Sequence, residues 1–242
     1  MPMDTLFWTK LNPDIAFKKV TRRYYNQYYY KLEINAVCAS FLRNPDQTLQ
    51  TQAINMSHRR SQNFGGSWRV RNQQLPNADD LRFLALMGEL IHKFNDRIKV
   101  RIEDPYMQIY AETESELLTF VSNIDYEFHK NIKTIYGPGT VDEFDLLTKG
   151  YTIRAEPQEY GYRVSVKEGR YSRETKQQIL GYLRNIGDEA KLPRHFVENM
   201  DRSFDSVWNC YFYVKDPGVL TMLRLISPSF IGRVEEFCVS PK

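Results

Sequence analysis

The sequence predicts an α+β protein whose two halves each run β-α-β-β-α-β. Three observations lead there. Segments with two-residue alternation, such as Tyr28-Tyr29-Tyr30-Lys31-Leu32-Glu33-Ile34, are interleaved with segments whose apolar residues recur every three or four positions. Gly137-Pro138-Gly139 breaks the chain near its middle. Beyond that break the same order of elements returns.

In the first half, residues 28–36 read as an aromatic-rich strand, with Tyr28, Tyr30, Leu32 and Ile34 on one face. Residues 44–76 are polar and carry Asn44-Pro45, Gly65-Gly66 and Pro76, so they are expected to form a long loop, with a short hairpin at the glycines. Asn77 caps the next helix, over 78–95, with Asp79 and Asp80 in its first turn. Its inward face is Leu81, Leu84, Met87, Leu90, Ile91 and Phe94. Strands follow at 97–103 and 106–111, and Thr113-Glu114-Ser115-Glu116 is a capping box opening a helix over 113–124. Residues 131–136 complete this half.

A helical connector over 141–148 leads to the second half. Tyr162, Val164 and Val166 alternate with Arg163, Ser165 and Lys167 in a half-buried strand over 161–167. Ser172 caps a helix over 173–186 that Gly187 ends. Residues 190–199 read as a poor strand, and 208–215 as a good one. Asp216-Pro217 is expected to start a helix over 217–226, and 231–238 to form the last strand. This is the split βαβ, or ferredoxin-like, order, with antiparallel sheets and both helices on one face. The domains expected are 1–139, carrying the loop 44–76, and 140–242. The alternative is one irregular α+β domain.

Composition narrows the function classes. Of 242 residues, 42% are apolar and 26% charged, enough to bury a core and unlike a disordered chain. No run of about 18 apolar residues occurs, so no membrane partner is expected. No basic and apolar leader precedes Trp8, and the three cysteines (Cys38, Cys210, Cys238) are far apart. They are expected to be small buried residues of a cytoplasmic, reducing compartment. The histidines show no ligand spacing, and Walker A, GxGxxG, GxSxG and HExxH motifs are absent, so neither metal nor cofactor is expected.

Net charge is only +3, but its distribution is uneven. Residues 15–32 contain no acid and five bases, and residues 47–78 contain no acid and four arginines. Arg22-Arg23-Tyr24-Tyr25 enters the first strand, while Arg59, Arg60, Trp68, Arg69 and Arg71 lie in the loop. Arginines that follow phosphates beside rings that stack on bases suit single-stranded nucleic acid. In the second half, Trp208, Cys210, Phe212 and Val214 share one face of a strand, leaving Tyr211 and Tyr213 on the other, helix-free face. Tyr106 and Tyr110 are the expected counterparts in the first half.

The placement of Tyr211 and Tyr213 resembles the stacking aromatics on the third strand of RNA-recognition motifs, although no basic-Gly pair precedes them. The likeness is one of pattern. The length and paired units are also similar to CRISPR repeat-processing endoribonucleases, a likeness that implies His58 as general acid or base. Residues 217–242 hold only Gly218 and Gly232, not that family's glycine-rich segment. The leading expectation is therefore a non-catalytic RNA- or single-stranded DNA-binding protein. The alternatives are a structural or assembly protein, for example of a virus or phage, that contacts itself or other proteins, and a metal-independent ribonuclease.

Overall fold

The structure, a computed structural model, describes residues 2–44, 46, 48, 50–56, 76–103, 105–203 and 205–240. It is α+β and divides into two compact units, Met1–Phe144 and Asp145–Lys242.

The first unit opens with α1 (Thr5–Leu11), whose first amides are accepted by the Asp4 carboxylate, and β1 (Ala16–Lys19). Neither is legible in the sequence, because seven and four residues are too few to display a period. Then come β2 (Tyr30–Asn35), α2 (Ala78–Lys93), β3 (Lys99–Glu103), β4 (Tyr106–Ala111), α3 (Glu114–Val121) and β5 (Ile132–Gly137). Both expected N-caps are reciprocal: Asn77 exchanges hydrogen bonds with Asp80, and Thr113 with Glu116. The sheet order is β1-β5-β2-β4-β3, with β1 parallel to β5 and the other pairs antiparallel.

Helix α4 (Val141–Thr148) leads to the second sheet. This unit contains β6 (Thr152–Arg154), β7 (Tyr162–Val166), β8 (Gly169–Arg170), α5 (Arg173–Asn185), β9 (Ala190–Lys191) and α6 (Arg194–Asp201). It ends with β10 (Ser206–Val207), β11 (Tyr211–Val214), α7 (Val219–Ile226) and β12 (Ile231–Val239). Its main sheet runs β6-β12-β7-β11-β9, with β6 parallel to β12 and the other pairs antiparallel; β8 and β10 form a separate ribbon. The two sheets therefore share a strand order, including a parallel edge strand that follows a helix. Registers also correspond: Lys31 faces Tyr110 in one sheet, and Arg163 faces Tyr213 in the other.

Each sheet buries one face. Leu32, Ile34, Met107 and Ile109 pack with Leu84, Met87, Leu117 and Phe120. Val164, Phe212 and Val214 pack with Ile179, Leu183, Leu220 and Leu223. Each such side chain contributes about 1.5–3 kcal/mol on leaving water, which is why two-residue alternation in strands and three-to-four spacing in helices select these elements. Gly187 ends α5 at φ 55°, with nothing within 4 Å of where a Cβ would stand. Gly187→Ala should therefore cost only the backbone penalty of a left-handed residue, about 1–2 kcal/mol, read as a lowered thermal midpoint.

Several local expectations give way. Tyr28 does not join the Leu32 face. It bridges back to Tyr24 through a turn in which Tyr25 and Asn26 have φ 51° and 64°, and this reverses its side. Residues 50–56 are helical rather than loop: the Asp46 carboxylate accepts the Thr48 amide, and Gln50 and Ile54, one turn apart, are buried. The hairpin expected at Gly65-Gly66 lies outside the described residues. The segment 190–199 is a two-residue strand and then α6, because Pro193 stops the ladder and precedes the helix. Trp208 is 57% exposed and stands off the strand, since Asn209 at φ 49° breaks the alternation that Cys210, Phe212 and Val214 keep. Helix α7 starts at Val219, after a turn in which Asp216 accepts the Gly218 amide. All three cysteines are free, but only Cys210 is buried.

Candidate functional site

The faces of the two sheets that point away from these cores begin from the same side-chain pattern and end differently. In the first unit, Lys31 on β2 and Tyr110 on β4 are cross-strand neighbours, with Tyr136 on β5 on the other side of Lys31. The Lys31 ammonium lies 3.6 Å from the Tyr136 ring centre, and Lys99 lies 4.0 Å from that of Tyr25. This aromatic and basic surface is covered from within. Tyr24, Tyr25 and Tyr28 put their ring centres 5.1, 5.1 and 6.4 Å from that of Tyr110, which is 3% exposed. Burial raises the Tyr110 phenol above its ordinary range, with Tyr25 adding to it. Burial also lowers the Lys31 ammonium, against the pull of Glu33. Tyr110 thus does not offer the open ring expected of it; Tyr106, at the strand end, is 42% exposed. Arg22 is exposed and Arg23 half-buried at the start of the covering segment.

In the second unit no segment among the described residues covers the face in this way. Tyr211 and Tyr213 are half-buried on β11, their ring centres 5.6 Å apart. Arg163 on β7 lies 4.0 Å from the Tyr211 ring centre, and the His195 ring on α6 packs 4.6 Å from it. Arg163 is fixed there by the buried Glu235 carboxylate at 3.2 Å, which Arg233 also contacts at 3.2 Å. One face of Tyr211 is therefore taken by a structural cation. Burial raises the Tyr213 phenol, Tyr211 adds to the shift, and Arg163 and Arg154 oppose it.

A cleft of about 420 Å³ opens over this surface, lined among others by Arg154, Tyr160, Lys191, Tyr211, Tyr213 and Phe237. Lys191 on β9 stands directly across from Tyr213, and the Arg154 guanidinium on β6 lies 4.5 Å from the Phe237 ring centre. Neither Arg154 nor Lys191 has a carboxylate partner among the described residues, and the Arg154 Nε is buried without a hydrogen bond. Glu159, the one carboxylate of the lining, is 3.9 Å from Lys215. Two cations without counterions beside aromatic rings favour an anion that carries a flat apolar part.

Of the residues singled out in the sequence, the structure brings Tyr211 and Tyr213 together, and it places Arg22 and Arg23 in the other unit. His58, Arg59, Arg60, Trp68, Arg69 and Arg71 lie outside the described residues. Sequence reasoning missed Arg154, Lys191 and Tyr160, which sit on a three-residue strand, a two-residue strand and a connector, where alternation has no length in which to appear. Among the described residues, no group of His, Cys, Asp or Glu could hold a metal ion, and no helix is long and apolar enough to cross a membrane. No protein-family model matches this chain, and no curated protein matches it.

Proposed function

We propose that the protein binds single-stranded nucleic acid without catalysing a reaction, through the sheet face of its second unit that carries Tyr211 and Tyr213. The single observation that carries this reading is the juxtaposition, in one cleft, of Tyr211 and Tyr213 with Arg154 and Lys191, which have no carboxylate partner among the described residues. Bases stack on rings of any sequence context, and phosphates seek cations that lack counterions. The acid-free segment with Arg59, Arg60, Trp68, Arg69 and Arg71 supplies further phosphate and base contacts in this reading. We also read each unit as ferredoxin-like. The strand orders β5-β2-β4-β3 and β12-β7-β11-β9 support this, since each sheet then places its last strand beside its first.

The test is a titration of labelled 12-nucleotide RNA and DNA at two salt concentrations. Saturable binding that weakens with salt is expected. Arg154→Gln with Lys191→Gln should flatten the dependence of log K on log salt by roughly 0.7 for each lost phosphate contact. Replacing Arg59, Arg60, Arg69 and Arg71 by alanine should flatten it further. Trp68→Ala should instead cost about 1–3 kcal/mol with little change in slope. No saturable binding at low salt overturns the proposal; variants that disturb only self-association would point to an assembly role.

A further inference from the structure

The cleft of the second unit has the dimensions of a small-molecule site rather than of a track for a strand. Its volume of about 420 Å³ falls near the lower end of the roughly 300–1,000 Å³ usual for such sites. Its parts are also unequal. Arg163 is held by Glu235 and lies over Tyr211, so both serve as walls. Tyr213 carries no cation over its ring among the described residues, and Tyr160 has only distant ones, Lys215 at 5.7 Å and Lys191 at 6.0 Å. Arg154 braces its guanidinium on Phe237 and meets no carboxylate among the described residues; Lys191 projects beside Tyr213.

From this we infer that the cleft takes one nucleotide, with its phosphate on Arg154 and Lys191 and its base against Tyr213 and Tyr160. The inference rests on the nucleic-acid reading and sharpens it: the protein recognises a strand through one nucleotide set apart from its neighbours. A base can enter such a cleft only when unstacked, so single strands, ends and bulges are accepted and a duplex interior is not.

The experiment is calorimetric titration of the full chain with AMP, ribose 5-phosphate, inorganic phosphate and a 12-nucleotide single-stranded RNA. AMP should bind with one site per chain. Ribose 5-phosphate and inorganic phosphate should bind at least tenfold more weakly, because they lack the stacked base. Arg154→Gln should weaken AMP binding at least tenfold while moving the thermal midpoint little, since among the described residues that guanidinium meets only the Phe237 ring. Tyr213→Phe should preserve AMP binding and Tyr213→Ala should lose it, which separates a stacking ring from a hydroxyl contact. If the 12-mer binds and AMP does not, the one-nucleotide cleft is overturned while strand binding stands. If AMP binds and the 12-mer does not, the cleft stands and strand binding falls. Equal affinity for AMP and inorganic phosphate overturns the base contact and so the inference. Binding of neither AMP nor the 12-mer overturns both.

Discussion

Trp8→Ala is expected to cost the first unit about 3–5 kcal/mol, the range for removing a fully buried large aromatic. Trp8 is 0% exposed within the core that includes Leu32, Ile34 and Phe120. Its indole Nε1 donates to Glu114 Oε1 at 2.8 Å, and the same oxygen accepts the Asp4 amide at 2.8 Å. Glu114 stands in the first turn of α3, so one side chain ties α1 to the start of another helix, where a carboxylate is favoured by the helix dipole. The alanine variant opens a cavity and removes a donor from that carboxylate. Trp8→Phe fills most of the cavity and isolates the hydrogen bond, so about 1–2 kcal/mol should separate it from the native protein. Hydrogen exchange read strand by strand is the appropriate measurement, because the chain has two cores. Protection should fall in β2 and β5 and persist in β7 and β11. A uniform loss in both sheets, or a cost below about 1 kcal/mol, would show that Trp8 does not anchor the first unit.

What the sequence discloses depends on how many residues repeat a period. Tyr30-Lys31-Leu32-Glu33-Ile34 and Tyr162-Arg163-Val164-Ser165-Val166 alternate long enough to set both strand and face, and the structure follows them. The Thr113 capping box and the Ser172 cap mark their helices because each is a local hydrogen bond, independent of the rest of the fold. The failures are places where one backbone angle decides. Left-handed Asn209 turned Trp208 away from its expected face, and left-handed Tyr25 and Asn26 folded Tyr28 onto Tyr110. Those angles were not legible, since the asparagines permit them without requiring them. The candidate site was half legible. Tyr211 and Tyr213 lie on a strand with a clear alternation; Arg154 and Lys191 reach the same cleft through pairings between residues far apart in sequence.

The contrast between the faces follows from the connection after the parallel edge strand of each sheet. Between β1 and β2 the first unit has the residues that place Tyr24, Tyr25 and Tyr28 over Tyr110. Between β6 and β7 the second unit has instead Gln158, Glu159 and Tyr160, which line the rim of the cleft. The same position in the two topologies thus carries a cover in one and a wall in the other. Cross-strand partners alone, a base facing a tyrosine in both, do not determine whether a face is available.

Lys176→Met should destabilise the second unit by about 2–4 kcal/mol, and it bears on the site as well as on the fold. Lys176, in α5, is 0% exposed, and its ammonium donates to the Arg202 carbonyl at 2.5 Å and the Asn199 carbonyl at 3.4 Å. Those carbonyls belong to the last turn and cap of α6, the negative end of that helix. Hydrogen bonds from a charged donor contribute about 1.5–3 kcal/mol each, and both bonds here are partly shielded from water. Methionine keeps the stem and its packing, so the loss reports the ammonium; Lys176→Ala should cost more by the added cavity. Helix α6 also carries His195 against Tyr211 and Phe196 against Phe212, so its release loosens the back of the ring that walls the cleft. The expected pattern is a lowered urea midpoint in the second unit together with weaker ligand binding, and recovery of binding at lower temperature, where α6 stays docked. Lys176→Arg, which keeps the charge on a bulkier head, should be intermediate in stability. A methionine variant as stable as the native protein would mean that the carbonyls find other donors, and α6 would then not depend on Lys176 to hold His195 in place.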